Sequence, residues 1–263
     1  MARIIENVPA LLLTKPVRTI VVADLHLGFE EELRIAGVRI PPQSPRVVEA
    51  LAELCVRERA RRLVVLGDLK HQFVGASQLE RKILPKLVSR LREGVGEVMV
   101  IPGNHDGDLD EILGDLVTML PVRGWYIAEE RVGLTHGHVK PDKQLLRARL
   151  LVVGHLHPVL RLGYGEASSR FRVWLMMRGE RRVLCNRLLD NDCGRMGGVI
   201  QLLIMPSFNM MLTGRSVTDL DHRSLGRGPL LSSGVFNLDE AEVLTLEGVS
   251  LGKLANLRSG GRW

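Results

Sequence analysis

The sequence predicts an α/β fold of two packed sheets, the first partly parallel and the second largely antiparallel. Up to residue 117, β-branched apolar runs alternate with stretches of helical periodicity, the order that parallel strands with helical crossovers require. Beyond residue 117, short apolar runs follow one another with turns and little helix between them. Five of the apolar runs also end in Asp, Asn or His, which implies functional groups gathered along one sheet edge. The 263 residues suffice for a full core, and no linker or internal repeat divides them, so residues 1–263 are expected to form one domain.

In chain order, ALLLT (10–14) and RTIVVAD (18–24) read as two strands joined at Lys15 and Pro16. EEELRIAG reads as a short helix broken by IPPQ. Ser44 and Pro45 signal the start of a second helix, with Val47, Val48, Leu51, Leu54 and Cys55 as its apolar stripe. RLVVLGD is the next strand. Ser77 and Glu80 then have capping-box spacing before a helix whose expected face is Leu79, Ile83, Leu87 and Leu91, with Pro85 expected to bend or divide it. EVMVIPGNHD is a strand, and the acidic helical stretch DLDEILGDL follows it.

VTMLP, YIAEE, RVGLTH, RLLVVGH, PVLRLGY, FRVWLMM, RRVLC and VIQLLIM are the strand candidates of the second sheet. Residues 214–235, rich in Gly and Ser, read as a mobile loop before a last pair of strands near EAEVLTLEG. His222 in that loop is expected to be merely solvated.

Apolar content of 45% and charged content of 25% are ordinary globular values. No apolar run approaches the ~20 residues needed to cross a bilayer, and MARIIENVPA has no signal-peptide pattern, so a cytoplasmic protein with no membrane partner is expected. Cys55, Cys185 and Cys193 lack C-x-x-C spacing, and reduced thiols are the simplest expectation. A net charge of +6 favours an anionic partner.

The chemistry lies at the strand ends. TIVVADLHLG presents Asp24 and His26 at alternate positions, and alternate residues leaving a strand point the same way, so both can reach one cation. RLVVLGDLKH adds Asp68, EVMVIPGNHD adds Asn104 and His105, RVGLTHGH adds His136 and His138, and ARLLVVGHLHP adds His155 and His157. Seven of the eight histidines therefore lie just past a predicted strand. Any one of these residues alone reads as turn chemistry, but the set reads as a donor pocket. Carboxylate, amide and imidazole donors suit manganese, iron or zinc, and the inventory is enough for two ions. A carboxylate shared between paired cations is the usual clamp for displacement at phosphorus.

ADLHLG, GDLKH, GNHD, THGH and GHLHP, in this order, resemble the five signature motifs of the calcineurin-like metallophosphoesterases. The longer context ADLHLGFEEELRIAGVRIPPQ, with MPSFN, resembles the archaeal SbcD-related phosphoesterases, themselves similar to bacterial DNA ligase-associated metallophosphoesterases. The signature covers residues 23–158, followed by a β-rich part, 159–263.

The resemblance implies a four-layer α/β/β/α sandwich of two packed mixed sheets and hydrolysis of a phosphodiester or nucleotide-type substrate. It implies two divalent ions, manganese first, with iron, zinc and nickel as alternatives. Asp24, His26 and His157 would hold one ion, Asn104, His136 and His155 the other, and Asp68 would bridge them. The family pattern places the ligand before Gly137, which favours His136 over His138. A hydroxide between the ions would attack, His105 would protonate the leaving oxygen, and Asp106 would orient His105.

Two other readings accompany this one. A repair-type DNA nuclease would normally add a capping domain and a partner-binding tail, which nothing after residue 158 clearly supplies. A non-catalytic scaffold, like the retromer subunit that resembles these enzymes, generally loses ligands, and here none is missing. His71, three residues after Asp68, reads as an outer or surface histidine, with lining of the site's mouth as the alternative. Lys70 and the clusters RERARR (57–62) and RGERR (178–182) offer cations to a phosphate or nucleic acid, although exposed Arg-rich faces are the commoner case. Trp125, Tyr126 and Trp174 read as core or rim, and Gly67, Gly103, Gly137 and Gly154 as small residues permitting tight turns.

Overall fold

The computed structural model describes residues 2–163, 168–189, 193–194, 196–212, 214–219 and 228–259. His222 and much of the loop expected around it lie outside the described residues. The first sheet contains β1 (Arg3–Ile4), β2 (Leu11–Leu13), β3 (Thr19–Val22), β4 (Arg62–Leu66), β5 (Glu97–Ile101) and β6 (Thr118–Met119), in that spatial order. β1, β2 and β3 are antiparallel neighbours, and β3 through β6 are parallel. Parallel neighbours need crossovers, which α1 (Phe29–Ile35) and α2 (Ser44–Arg57) provide after β3, α3 (Gln78–Val95) after β4 and α4 (Leu109–Leu113) after β5.

The second sheet uses β7 (Trp125–Ile127), β8 (Val132–Thr135) and β9 (Leu150–Val153), while β10 (Pro158–Leu162) and β11 (Ser169–Arg172) leave it. The chain then returns through β12 (Trp174–Glu180), α5 (Arg181–Leu188) and β13 (Val199–Ile204). After β14 (Arg215–Ser216) and α6 (Pro229–Ser232), β15 (Glu242–Leu244), β16 (Ser250–Lys253) and α7 (Leu254–Ser259) follow. The spatial order is β16-β15-β12-β13-β9-β8-β7, with β13, β9 and β8 mutually parallel and the other pairs antiparallel.

Strand alternation builds the layers. Ile20 and Val22, Leu63 and Val65, and Val98 and Val100 face Leu51, Leu84, Val88 and Leu91 of the helices. The intervening Val21, Val64, Leu66, Met99 and Ile101 face Leu134, Val152, Trp174 and Leu203 of the other sheet. On the far side, Leu151, Leu175, Ile200 and Leu202 pack on Leu184, Cys185 and Leu188 of α5. Helix, sheet, sheet and helix are thereby stacked, each buried Leu, Ile or Val contributing about 1.5–3 kcal/mol.

Several local expectations are corrected. RRVLC is the start of α5, because Leu184 and Leu188 recur at helical spacing once the window extends past Cys185, and Val183 is left exposed. A small third sheet, β11-β10-β14, stands apart from the two large ones. Along α3 the buried row is Leu84, Val88, Leu91 and Val95, while Leu79 is exposed. Two apolar rows run along that helix, and the row at 79, 83 and 87 lines an open groove with Ile40 and Pro42. Pro85 lies within the continuous α3 and does not divide it, and the Ser77–Glu80 capping box is formed. The cap of α2 is Gln43, and the Ser44 hydroxyl instead accepts from the Gly28 N–H at 2.8 Å.

Cys185 and Cys193 form a disulfide, with Cα atoms 5.7 Å apart, against the expectation of reduced thiols. The seven intervening residues are too many for a metal-type pair but not for a bridge from α5. Cys55 is free and buried, and burial pushes its thiol up to about 12. Thiol titration of the unfolded chain should therefore give one reactive group without reductant and three after reduction. Three groups before reduction would contradict the pairing.

Candidate metal centre

Every candidate side chain leaves the carboxyl end of a strand. Asp24 and His26 follow β3, Asp68 follows β4, and Asn104, His105 and Asp106 follow β5. His136 follows β8, while His155 and His157 follow β9. The two sheets thus contribute to one pocket at their common edge.

Five of these residues have left-handed backbones: Asp24 (φ 58°), His26 (43°), Asp68 (53°), His155 (70°) and His157 (46°). Such conformations cost on the order of 1–3 kcal/mol each in residues other than glycine, so neighbouring structure must hold them. The Asp24 N–H donates to Gly67 O at 3.1 Å, His26 N–H to Asp68 O at 2.8 Å, and Leu27 N–H to Leu69 O at 2.8 Å, lacing the first two turns together. His155 N–H donates to the Asp24 carboxylate at 3.1 Å, tying the fifth turn to the first.

Two glycines are required by contact. At Gly67 (φ 72°) a Cβ would lie 2.3 Å from His136 Nδ1, and at Gly103 it would lie 2.1 Å from Asp68 Oδ1.

The side chains fall into two groups that share Asp68. In the first, Asp24, His26, Asp68 and His157 offer atoms within 4.8 Å of one another. His157 Nε2 lies 3.1 Å from Asp24 Oδ1, and His26 Nε2 lies 3.5 Å from Asp68 Oδ2. The second contains Asp68, His136 and His155. His136 Nε2 is 3.4 Å from Asp68 Oδ2, 3.1 Å from His155 Nδ1 and 3.2 Å from Asn104 Oδ1, so Asn104 joins it. His136 Nδ1 bonds Leu66 O at 2.8 Å, which leaves Nε2 for the pocket. His138 is in neither group. Its ring lies 5.1 Å from that of His136.

These residues fit divalent cations. Asp24 and Asp68 are buried together and need compensating positive charge. His26 Nε2 and His157 Nε2 are buried nitrogens that, among the described residues, have no hydrogen-bond partner although they face those carboxylates. Nitrogen and oxygen donors converging without aligned hydrogen bonds make a cation-binding set.

In the metal-free protein, protons carry part of this load. Burial would lower His136, but the hydrogen bond and charge of Asp68, with the charge of Asp24, raise it to about 9. Burial would raise Asp68, but His136, His26 and His105 together hold it well below the usual carboxylate range. Burial drives His26 down to about 3 against the pull of Asp68 and Asp24, which favours the neutral, ligating form.

Other expected residues have different places. Asp106 is directed at backbone amides. Its carboxylate accepts from the backbone N–H groups of Gly103 at 2.8 Å, Leu69 at 2.9 Å and Lys70 at 3.2 Å, pinning the second and third turns to each other. Burial raises Asp106 to about 6. His105 Nδ1 instead meets the carbonyl of His71, and its own N–H donates to Asp68 Oδ1 at 2.9 Å. Lys70 is fully buried, with its ammonium donating to Gln72 O and Gly75 O, so it does not face a substrate.

Both Arg clusters lie at the opposite ends of their strands from the pocket: Arg62 begins β4, and Arg178 lies near the end of β12 with Arg181 and Arg182 starting α5, β12 running antiparallel to β13 and hence to β9. Arg62 pairs with Glu97 at 2.7 Å and lies over Trp125. Trp174 is core.

Sequence reasoning named His71 as an outer or surface histidine but missed the partners of the supporting residues. His71 Nδ1 is 3.2 Å from His26 Nδ1, and its Nε2 meets Glu32 of α1, so a carboxylate reaches a candidate ligand through a second imidazole. Glu80, read only as a cap, also accepts from the N–H groups of His71 and Gln72. Ser207 Oγ donates to Asp24 O and Asn209 Nδ2 to Leu25 O, giving MPSFN a role in bracing the first turn. The sequence signalled His71 as an outer residue, Glu80 as a cap and MPSFN by its family-like context, but none of the partners.

A family model described as calcineurin-like phosphoesterase matches residues 17–182. The phosphodiesterase YfcE of Escherichia coli strain K12 is 30% identical over 112 residues, which is 41% of this chain and 61% of that relative. Among solved structures, the Pseudomonas putida nuclease MPE matches with a TM-score of 0.51 and 18% identity, covering 84% of this chain and 94% of that one. The structure of the E. coli phosphoesterase YfcE gives a TM-score of 0.40 and 17% identity over 89% of this chain and 97% of that one.

Asp106→Ala would leave three buried amides without their acceptor and should lower stability by about 2–4 kcal/mol in urea unfolding. Wild-type stability would contradict the clamp. A base raised in the folded state contributes stability that is complete below its unfolded value and lost as pH passes its folded value. Chelator-treated protein should therefore lose stability between pH 6.5 and about 9 as His136 deprotonates. Thermal melts across that range should slope down in wild type and flatten in Asp68→Asn.

Proposed function

We propose that this chain, which belongs to the calcineurin-like phosphoesterase family, hydrolyses a phosphodiester or nucleotide-type substrate with two divalent cations. The observation that carries the reading is the pair of donor groups meeting at the buried Asp68. Asp24, His26 and His157 would hold one cation, Asn104, His136 and His155 the other, and Asp68 both. Paired cations supply the charge stabilisation that displacement at phosphorus needs and acidify water enough for it to attack.

The chain's own residues orient and transfer protons. His105, half-buried at the opening, has Nδ1 engaged by the His71 carbonyl, so Nε2 is the atom assigned to protonate the leaving oxygen. Asp106 acts through the backbone, keeping the turn that carries His105 against the turn that carries Asp68. The Glu32–His71 contact steadies His26, as outer carboxylates do for ligating imidazoles.

A diester is favoured over a monoester by the names of the similar proteins, a phosphodiesterase and a nuclease. Because the chain spans only 61% of the YfcE relative, that activity is transferred as a proposal. Manganese is the metal that the family resemblance puts first, with iron, zinc and nickel as alternatives that the same oxygen and nitrogen donors would take. The long context around ADLHLG supports an SbcD-related member, and residues 1–263 are read as one domain. No helix among the described residues is long and apolar enough to cross a membrane, which agrees with a cytoplasmic site, although a cytoplasmic disulfide is unusual outside hyperthermophiles.

Purified protein with Mn²⁺ should turn over bis(p-nitrophenyl) phosphate, and absence of turnover with every divalent metal would overturn the reading. His105→Ala should reduce kcat about 100-fold or more while bound metal per chain stays constant. Asp68→Asn should reduce both, and identical behaviour of the two variants by rate assay and elemental analysis would refute the division of roles.

A further inference from the structure

We propose that Phe73 is a stacking face for a planar leaving group, so that the pocket takes phosphate esters of nucleosides in preference to aliphatic esters. This rests on the phosphoesterase reading above and names the substrate feature that reading leaves open.

The segment from His71 to Ala76 links the Asp68 turn to α3, and its backbone is braced from both sides. From within, the buried Lys70 ammonium donates to the carbonyls of Gln72 and Gly75. From α3, the Glu80 carboxylate accepts from the N–H groups of His71 at 3.1 Å, Gln72 at 2.8 Å and Ser77 at 2.9 Å. Two buried charges are thus committed to the shape of a short surface loop. At its tip, Phe73 is 59% and Val74 is 79% exposed.

Loop tips are ordinarily small and polar, because leaving a phenyl group in water forgoes about 1.5–3 kcal/mol of burial. A braced loop that presents one is built to have it covered.

The position says by what. The Phe73 ring meets the His105 ring edge to face, with centroids 5.2 Å apart and planes at 80°. His71 lies beside His105 at 6.0 Å and 29°, and Phe29 meets His71 at 5.0 Å. A wall of rings therefore runs along the side of the pocket where His105 would protonate the departing oxygen. A group attached to an oxygen protonated by His105 would lie beside the exposed Phe73 ring. A nucleobase offers a flat face of matching size, and stacking on an aromatic side chain contributes about 1–3 kcal/mol per base whatever the base. A glycerol or ethanolamine group offers no such face.

The test compares a dithymidine phosphate with glycerophosphoethanolamine on manganese-loaded wild type, Phe73→Ala and Phe73→Trp. Phe73→Ala should raise KM for the dinucleotide about tenfold or more, with kcat little changed because stacking is equal in ground and transition states. Phe73→Trp should restore KM. Bound metal and Tm should not change in either variant, since the side chain is exposed. A 2-aminopurine nucleotide should lose fluorescence on binding to wild type and Phe73→Trp but not to Phe73→Ala. An unchanged KM for the dinucleotide in Phe73→Ala overturns the proposal, as does an equal loss on both substrates. Wild type that turns over bis(p-nitrophenyl) phosphate but neither of these substrates overturns this proposal alone, whereas wild type inert toward all three sinks the phosphoesterase reading and this proposal with it.

Discussion

Two carboxylates buried side by side are the constraint on which the rest of this molecule depends. Asp24 and Asp68 are both essentially without solvent, and each is surrounded by imidazole nitrogens. Negative charge so placed is tolerable only with positive charge beside it, whether cations or the proton on His136. The same arrangement makes the pocket a cation site and ties its metal-free form to pH. Among the described residues few other places bury charge, and two of them, Lys70 and Asp106, serve to hold the turns around this one.

The backbone at the pocket is correspondingly unusual. Left-handed conformations at Asp24, His26, Asp68, His155 and His157 turn alternate side chains inward within very few residues. They persist because each turn also bonds to its neighbour: Asp24 to Gly67, His26 to Asp68, His155 to Asp24. Gly67 and Gly103 let those turns approach closely enough for the side chains to meet. Local strain is thus borne by parallel strands in register, β3 beside β4 beside β5 in one sheet and β8 beside β9 in the other.

Much of this was legible in the sequence because strand ends are short-range features. A β-branched run stopping at Asp or His announces both the element and the edge at which its side chain emerges. The gathering of strand-end Asp and His residues into two groups that share Asp68 follows from the order of the motifs. Elements decided by packing were not legible. The rows 79, 83, 87 and 84, 88, 91, 95 of α3 are equally apolar, and only the approach of α2 and the sheet selects the second. RRVLC is too short to distinguish strand from helix without Leu188. Asp106 was assigned to His105 by adjacency, yet the geometry of the turn aims it at three amides. Glu32 and His71 lie 39 residues apart, a separation no local pattern bridges.

The pocket straddles a seam: one half of its donors rides on the first sheet and the other on the second, and the interior around Trp174, Leu203 and Val64 fills the gap between them. That dry interior acts as a caliper. Each donor group takes members from both sheets, so the reach of those members toward a shared cation would be set by how thick that filling is, far from any atom that touches the cation. A change of volume there would be felt first as altered reactivity and only later as lost integrity, which makes an apparently inert layer of hydrocarbon part of the chemistry.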